Sequence, residues 1–479
     1  MKAVVLVAVF VSGLSLALWA QSSTGVVQSA ADAIGATTLQ SIQYSGAGSA
    51  FPLGQAASPG GPWPRFELAK YVASIDYAAP AMREEIVRRD VEFPPRGGGA
   101  GPFNATTGQG GMRPIPGDVI QTLTRDGRTE AGQIQIWMTP HGFLKAAANR
   151  LSLVTPTTVG GRTMQVVSLD VGPRTITAFI NDRHLIERIA TRVAHPLLGD
   201  MDVETVFSDY KTFAGVQFPT RIVQRQGGHP TMDVTVADVR PGAGAVALPP
   251  SAPRPPASPP AVTTELEKIA DGVWFLTGGA PLSVLVEFRD HVVIIEAPQD
   301  AARSEATIAA VRRAMPSKPI RYVVNTHHHF DHSGGLRGYV AEGIPILTHE
   351  KNKPYFERIL RGPVTLEPDR LARSPRAAVI ETIGDKRVLR DDSMTLELHL
   401  LRANLHAETL LVAYLPRQKL LVQADAFHPR PGATPLASPP PFTVNLVDNI
   451  RRLKLDVERV VHVHGGVDAF ATVVKAAGG

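Results

Sequence analysis

The sequence predicts an α/β protein with a β-rich first half and a second half in which strands and helices form layers. Three observations lead to this fold class. Residues 21–240 contain short segments in which apolar and polar residues alternate, the pattern of antiparallel strands. Residues 241–263 are rich in proline, which favours an extended spacer. From residue 264 onwards, apolar strand-like runs are interleaved with helical periodicity.

The composition supports two large folded units and excludes several kinds of function. The chain has 479 residues, more than one ordinary domain of about 100–200 residues. It has no cysteine, so disulfides, thiol catalysis and thiolate metal sites are excluded. The formal net charge is +5, but the basic residues are scattered and form no cluster. We therefore predict no nucleic-acid partner.

Residues 1–20 have the features of a secretory signal peptide. Lys2 precedes a long apolar stretch that ends at Ala20, directly before the polar residues QSSTG. This pattern predicts cleavage after Ala20 and a periplasmic or secreted protein. Because the apolar stretch is long, an uncleaved N-terminal membrane anchor is the alternative.

The β-rich character of the first half rests on several short segments. The predicted strands include QIQIWM, TITAFI, MDVETVFSDY, TRIVQR and MDVTVADV. A Gly- and Pro-rich stretch over residues 93–117 predicts a mobile loop. The predicted organisation is a signal peptide at 1–20, an accessory domain at 21–240, a linker at 241–263 and a second domain at 264–479.

The second half mixes the two types of element along its whole length. The predicted strands are GVWFLT, LSVLVEF, HVVIIEA, IRYVVNT, IPILTH, SMTLELHLL, TLLVAYLP, KLLVQAD and RVVHVH. The predicted helices are RSEATIAAVRRAM, GGLRGYVAEG, KNKPYFERIL and FTVNLVDNIRRLKL. This succession indicates an α/β layered architecture.

The stretch NTHHHFDHSGGL follows the predicted buried strand IRYVVNT and carries the clearest chemical signal. Side chains at the end of a strand can converge on a cleft instead of filling the core. In the spacing HxHxDH, His327 and His329 point to the same side of an extended turn and can hold one metal ion. Asp331 and His332 are then free to face a second ion. Catalytic zinc takes several N or O ligands, so two ions need more residues than these.

Three residues further along the chain lie in loops at the edges of predicted strands. His406 precedes TLLVAYLP, Asp425 follows KLLVQ, and His464 ends VVHVH before two glycines. These residue types and positions make all three candidate metal ligands.

Other residues compete for these roles or lie close to the predicted site. His349 and His399 are alternatives to His406, although His399 lies within an alternating strand. His462 is an alternative to His464, but the glycines after His464 favour the latter on backbone grounds. Candidates for lining a substrate mouth are His428, Arg430 and Arg402.

The region from residue 264 to about the C-terminus resembles the metallo-β-lactamase-fold hydrolases. The resemblance is carried by HxHxDH, a later His, a later Asp and a final His in that order, and by DGVWFLTGGAPLSVLVEFRDHVVIIEAP. It implies a four-layered αββα sandwich. Position by position, it implies a first zinc on His327, His329 and His406, a second on Asp331, His332 and His464, and Asp425 as a bridge.

The resemblance also implies a reaction. Two adjacent zinc ions lower the pKa of a shared water, and the resulting hydroxide attacks a carbonyl or ester centre. Asp331 is the predicted catalytic residue, because it can orient the nucleophile and accept its proton. Iron or manganese are alternative metals. The prediction is an exported dinuclear zinc hydrolase that cleaves an ester, lactone, thioester or β-lactam-type amide in a small-molecule substrate.

The first half carries a second resemblance. Its segment FSDYKTFAGVQFPTRIVQ is similar to the unclosed β-barrel of periplasmic lipoprotein-carrier proteins. That resemblance implies a curved sheet with an apolar concave face, which would bring an apolar ligand or a membrane close to this half. The alternative is a domain that only packs against the second half, which we favour because pattern alone reveals no pocket. A carrier of apolar ligands, with a non-catalytic or redox di-iron site, is the second hypothesis for the chain.

Overall fold

The computed structural model describes residues 24–98, 118–150, 153–248, 262–429 and 438–479. The predicted signal peptide lies outside these residues, as do most of the predicted mobile loop and most of the proline-rich linker. Three sheets organise the described part of the chain. Among the described residues, no helix is long and apolar enough to cross a membrane.

The first half of the chain forms one antiparallel sheet of eleven strands. The strands are β1 (Ser41–Ala50), β2 (Phe66–Asp76), β3 (Ala81–Asp90), β4 (Val119–Asp126), β5 (Leu153–Val159), β6 (Arg162–Val171), β7 (Arg174–Ile180), β8 (Ile186–His195), β9 (Gly199–Phe213), β10 (Val216–Gln226) and β11 (His229–Pro241). Their order is β4-β3-β2-β1-β11-β10-β9-β8-β7-β6-β5. Alternate residues are buried, as on β7, where Ile176, Ala178 and Ile180 point into the core.

Helices pack against this sheet, and one of them corrects a prediction. Residues 24–34 are helical and form α1. QIQIWM, predicted as a strand, lies in α2 (Glu130–Trp137) except for Met138, which caps the end of this helix, and α3 (Pro140–Ala148) follows. The side chain of Thr129 caps α2 by accepting a hydrogen bond from the backbone N–H of Gly132. The alternation of two isoleucines with glutamine suggested a strand, but this cap and the packing of both isoleucines favour a helix.

The second half contains two mixed sheets. The first has the order β12-β13-β14-β15-β16-β17-β18, with parallel pairing from β15 onwards. Its strands are β12 (Leu266–Ala270), β13 (Val273–Leu276), β14 (Ser283–Glu287), β15 (Val292–Ile295), β16 (Ile320–Val324), β17 (Ile346–His349) and β18 (Ile380–Ile383). The second sheet has its strands in chain order: β19 (Lys386–Arg390), β20 (Thr395–Leu400), β21 (Leu411–Leu415), β22 (Leu420–Gln423), β23 (Arg459–His462) and β24 (Val467–Ala469).

Helices cover both outer faces of this pair of sheets. They are α4 (Ala301–Ala314), α5 (Phe330–Ser333), α6 (Leu336–Ala341), α7 (Asn352–Ile359), α8 (Arg370–Arg373), α9 (Pro441–Leu453) and α10 (Phe470–Ala476). Apolar residues from both sheets, such as Val293 and Leu398, share one core with Leu446 of α9. On the other face, Ile294 packs in a core with Ile308 of α4. The predicted four-layered αββα sandwich and the β-rich first half are therefore confirmed.

The two halves contact each other along the helical layer that carries α5. His195 of the first half packs edge-on against Phe330, with ring centroids 4.8 Å apart. The buried carboxylate of Asp200 accepts hydrogen bonds from the backbone N–H groups of Thr365 and Leu366. This interface lies directly beside the loop with the histidine motif.

Candidate metal centre

The seven predicted site residues come together at one edge of the sandwich. His327 to His332 follow β16, Asp425 follows β22 and His464 follows β23, while His406 lies between β20 and β21. Backbone hydrogen bonds connect the loops of the two sheets at this edge. Leu411 donates to the carbonyl of Thr326 over 3.0 Å, and Leu282 donates to that of Val463 over 2.6 Å. The ligand candidates therefore sit on loops that are joined across the sandwich.

One group of candidate ligands contains His327, His329, His406 and Asp425. One ligand atom from each lies within 4.8 Å of all the others. The Nε2 atoms of His327 and His406 are 3.3 Å apart, and Oδ2 of Asp425 is 2.9 Å from Nε2 of His406. All four side chains are buried. Three imidazoles and a carboxylate at this separation suit a divalent ion such as zinc.

A second group contains Asp331, His332, His464 and again Asp425. Their ligand atoms also lie within 4.8 Å of one another. Nε2 of His332 is 3.3 Å from Oδ2 of Asp331, and Nε2 of His464 is 2.7 Å from Oδ1 of Asp425. Oδ2 of Asp425 also lies 3.2 Å from Nε2 of His332, so the carboxylate of Asp425 contacts residues of both groups.

The hydrogen-bond pattern tests whether these residues suit a metal. Nδ1 of His329 is buried without a hydrogen-bond partner in the described part of the chain, and Oδ2 of Asp331 and both carboxylate oxygens of Asp425 are buried with only imidazoles of the cluster near them. Buried polar atoms without partners cost free energy, and bound metal ions would satisfy these atoms. The donor set contains only N and O atoms and therefore suits zinc, iron or manganese.

Electrostatics couple the histidines and carboxylates of the cluster. Burial disfavours the charged form of His332, but the nearby carboxylates, Asp425 foremost, raise its pKa well above the usual value. Burial also disfavours the charged form of Asp425, but His332 and His464 hold its pKa well below the usual range. Burial lowers the pKa of His327 to about 4, so this imidazole is neutral at physiological pH and can act as a ligand.

Two glycines after the motif allow the chain to turn tightly behind the ligands. A Cβ atom on Gly334 would lie 1.9 Å from the carbonyl oxygen of Gln299. A Cβ atom on Gly335 would lie 2.2 Å from Oγ of Ser304. Larger residues would therefore push the motif away from the neighbouring loop.

Groups behind the candidate ligands orient the imidazole rings. Oγ1 of Thr326 lies 3.0 Å from Nδ1 of His327, which leaves Nε2 to face the cluster. Oε2 of Glu296 lies 3.4 Å from Nδ1 of His332. A carboxylate behind a ligating imidazole fixes its tautomer and raises its basicity. Glu296 was not identified as a site residue from the sequence, although its position directly after a buried strand could have indicated it.

Two further contacts come from the first half of the chain and were also missed. The amide Nε2 of Gln55 donates a hydrogen bond to Oδ1 of Asp331 over 3.0 Å. Nε2 of His329 lies 2.8 Å from the carbonyl oxygen of Ala56. The segment FPLGQAASPG that contains both residues carries no motif, so the sequence alone offered no signal for this contact.

The alternative histidines lie outside the two ligand groups. His399 pairs with Glu397 on its own strand, with 2.9 Å between the side-chain atoms. Nδ1 of His349 accepts a hydrogen bond from the backbone N–H of Lys351. His462 contacts Gln423 and Asp468.

His428 is close to the cluster. Its Nε2 is 3.6 Å from Oδ1 of Asp425, and its ring lies 4.5 Å from that of His464. Both of its ring nitrogens are buried and have no hydrogen-bond partner among the described residues. Arg402, another candidate for the substrate mouth, pairs with Asp385. Arg430 lies outside the described residues.

Comparison with known proteins identifies a protein family that matches the part of the chain with the cluster. Residues 276–464 match the Metallo-beta-lactamase superfamily, a range that includes all seven predicted ligands. The match confirms the resemblance that the sequence suggested and supports the prediction of a metal-dependent hydrolase.

Two curated relatives align with short parts of the chain. A stretch of 78 residues, 16% of this chain, is 32% identical to alkyl/aryl-sulfatase BDS1 of Saccharomyces cerevisiae and covers 12% of that protein. A stretch of 91 residues, 19% of this chain, is 26% identical to 2,4-dinitroanisole O-demethylase subunit alpha of Nocardioides sp. strain JS1661 and covers 27% of it. The chain thus matches well under half the length of these relatives.

Solved structures of similar fold include several metallo-beta-lactamases. The enzyme from Pontibacter korlensis has 18% identity and a TM-score of 0.35, with 45% of this chain and 98% of that chain covered. The mono-zinc form of FIM-1 from Pseudomonas aeruginosa has 18% identity and a TM-score of 0.33, with 46% and 96% covered.

Proposed function

We propose that this protein, whose residues 276–464 form a metallo-beta-lactamase superfamily domain, is an exported dinuclear zinc hydrolase acting on a small molecule. One observation carries the proposal. Histidines and aspartates from both sheets meet at one edge of the sandwich, with buried ligand atoms that lack other partners. Such an arrangement is costly without a metal and is therefore hard to explain as structural support alone.

Each side chain has a defined role in the proposed centre. His327, His329 and His406 would hold the first ion, Asp331, His332 and His464 the second, and Asp425 would contact both. When bound, zinc supplies Lewis acidity that polarises a substrate oxygen and acidifies water.

Asp331 is the proposed catalytic residue. Its Oδ1 accepts the hydrogen bond from Gln55, which leaves Oδ2 facing the cluster. The carboxylate of Asp331 would hold the second ion through Oδ2 and, beside that ion, could orient an attacking water and accept its proton. The neighbouring His464 keeps 17% of its side chain exposed, whereas His327 and His406 are fully buried. We therefore place the approach of the substrate on the side of Asp331 and His464.

The proposed substrate has a carbonyl or ester centre, as in an ester, a lactone, a thioester or a β-lactam-type amide. The names of the two curated relatives add sulfate esters and aryl methyl ethers to the classes that should be tested. Export would place the reaction in the periplasm or outside the cell, a proposal that rests on Lys2 and the apolar stretch after it.

A carrier of apolar ligands is the second candidate. The size and lining of two spaces in the first half do not favour this function. The cavity between the sheet and α2–α3 has a volume of about 40 Å³, enough for only a few water molecules. It is lined by Glu84, which accepts a buried hydrogen bond from Tyr71. An open groove of about 680 Å³ on the same sheet is lined by charged residues such as Arg162 and Glu187 and by apolar residues such as Phe179 and Val206. The enclosed cavity is too small for a lipid-sized ligand, and the open groove has a mixed lining of charged and apolar residues.

Elemental analysis of the purified protein tests the proposal. The experiment compares the wild type with His327→Ala/His329→Ala and with the control His349→Ala/His399→Ala, whose histidines lie outside both ligand groups. We expect about two zinc ions per wild-type and control chain and a clear loss in the site variant. Turnover would then be sought in a panel of esters, lactones, thioesters, β-lactams, sulfate esters and aryl methyl ethers. Iron in place of zinc would support redox chemistry, and a metal-free wild type after incubation with zinc would contradict the proposal.

A further inference from the structure

We infer that the first half of the chain completes the metal centre, and that Gln55 is a positioning residue that holds Asp331 for the second ion. The inference rests on the proposed metal centre and adds a role for the β-rich domain. Gln55 is fully buried, and its only hydrogen bond from Nε2 among the described contacts goes to Oδ1 of Asp331. The two residues are 276 positions apart in the chain, so only the docking of the two halves brings them together.

The amide of Gln55 determines which carboxylate oxygen of Asp331 is free to bind a metal. A carboxylate can turn either oxygen towards a metal. Because Nε2 of Gln55 donates a hydrogen bond to Oδ1, Oδ2 of Asp331 is the oxygen that faces the cluster, where Nε2 of His332 lies 3.3 Å away. An amide donor also stabilises the ionised carboxylate, which is the form that binds metal.

The neighbouring residue Ala56 has the same kind of effect on His329. The carbonyl oxygen of Ala56 can only accept a hydrogen bond, so Nε2 of His329 must carry the proton. Nδ1 of His329 then keeps its lone pair, and this is the buried atom without a partner. Two adjacent residues of the first half therefore orient one candidate ligand of each ion.

Backbone contacts hold this segment against the loops of the second half. The N–H of Glu408 donates to the carbonyl of Ala57 over 2.9 Å, and the N–H of Gly97 donates to that of Leu405 over 2.7 Å. Gly98 donates to the carbonyl of Gln55 over 3.1 Å. A Cβ atom on Gly98 would lie 2.0 Å from Oε1 of Gln55 and 3.0 Å from Cε1 of His406. The close fit shows that the segment is packed directly on the cluster.

The test measures metal affinity by competition with a chelator. Gln55→Met keeps the length of the side chain but removes the amide donor, and Gln55→Asn keeps an amide that is one methylene shorter. The matched control is Gln43→Met, which removes an amide that donates to Ser74 in the same half. We expect both Gln55 variants to bind one of the two zinc ions about 10–100-fold more weakly, the usual effect of losing a group that orients a ligand. Gln43→Met should bind both ions with wild-type affinity.

Two further measurements separate positioning from folding. The cobalt-substituted Gln55 variants should show a changed visible absorption spectrum, whereas the thermal unfolding of the metal-free chains should stay close to that of Gln43→Met. Wild-type affinity for both ions in the two Gln55 variants would overturn the inference and leave the metal centre intact. Unfolded Gln55 variants would also overturn it, since the residue would then support folding instead of the site. A wild-type chain that binds no metal would reject the proposed function together with the inference.

Discussion

Glu296 lies behind His332, with its Oε2 atom 3.4 Å from Nδ1 of the imidazole. The opposite nitrogen of His332, Nε2, faces Asp331 and Asp425. Glu296 is fully buried, and its backbone adopts a φ of 76°, a conformation that costs a non-glycine residue about 1–3 kcal/mol. A strained, buried carboxylate directed at a candidate ligand suggests a role at the metal centre.

Replacing Glu296 should weaken metal binding without removing a ligand. Glu296→Gln keeps the shape of the side chain but removes the charge that raises the basicity of His332. We expect the affinity for the second ion to fall roughly 10-fold, the lower end of the usual range for such groups. Chelator competition measures the change, and Glu287→Gln, which loses the ion pair with Lys318, is the control. Equal affinities for the two variants would argue against this role.

Replacing Asp331 tests its catalytic role. Asp331→Asn keeps the acceptor of the hydrogen bond from Gln55 but loses the charge that receives a proton. We expect kcat on the best substrate of the panel to fall at least about 100-fold. Steady-state kinetics should be measured at saturating zinc, with the exposed Asp385→Asn as the control. A variant that keeps a tenth or more of the wild-type kcat would contradict the proposed mechanism.

The sequence supported the site because its signal was local. HxHxDH, Asp425 and His464 all follow the ends of strands. The hydrophobic periodicity of the strands and the spacing of the motif were therefore sufficient to predict these residues as ligands. In the structure, the motif, Asp425 and His464 lie close to one another and to His406. Glu296 has the same kind of signal, since it follows β15 beside the strand that carries the motif. A search of every strand end for carboxylates would have found it.

Other features depended on information that no local pattern contains. Gln55 lies in a loop between β1 and β2, and its contact with Asp331 exists only because the two halves of the chain pack against each other. The isoleucines of QIQIWM have a spacing that suits a strand, and the helix follows from the Thr129 cap and tertiary packing. The proposed domain boundaries remain predictions.

Asp200 should anchor the two halves to each other. Its carboxylate accepts hydrogen bonds from the backbone N–H groups of Thr365 and Leu366 and from the hydroxyl of Thr365. Hydrogen bonds to a charged group contribute about 1.5–3 kcal/mol. We expect Asp200→Asn to lower the free energy of unfolding by about that amount in urea at neutral pH. Asp238→Asn, an exposed carboxylate on the same sheet, is the control and should have little effect.

The contribution of Asp200 should also depend on pH. Burial tends to raise the pKa of Asp200, but the hydrogen bonds from Thr365 and Leu366 bring the pKa below its usual value. The stabilisation is therefore complete above the unfolded pKa of about 4 and is lost as the pH falls through the lower folded pKa. The difference in unfolding free energy between wild type and Asp200→Asn should shrink under acidic conditions. A difference that grows on acidification would contradict the assignment.

Gly54 should be essential for docking beside the motif. Its φ is 73°, and a Cβ atom there would lie 2.2 Å from the ring of Phe330, the residue between His329 and Asp331. We expect Gly54→Ala to lower the free energy of unfolding by about 1–3 kcal/mol through overpacking and to weaken zinc binding. Gly228→Ala is the matched control, because Gly228 has a φ of 85° and nothing within 4 Å of its Cβ position. Zinc affinity that falls equally in both variants would assign the effect to backbone strain instead of docking.

His464 and His462 are two residues apart, yet their surroundings predict opposite effects on metal content. Nε2 of His464 lies 2.7 Å from Oδ1 of Asp425, whereas Nδ1 of His462 lies 2.8 Å from the amide of Gln423. His462 is also fully buried and packs edge-on against Phe427. We expect His464→Ala to retain about one zinc ion, held by the intact first group, and His462→Ala to retain about two ions at lower thermal stability. Elemental analysis after dialysis distinguishes the two. Loss of zinc from His462→Ala but not from His464→Ala would contradict the assignment of His464 to the second ion. A residue that only supports the strand end should lower the thermal stability without lowering the metal content.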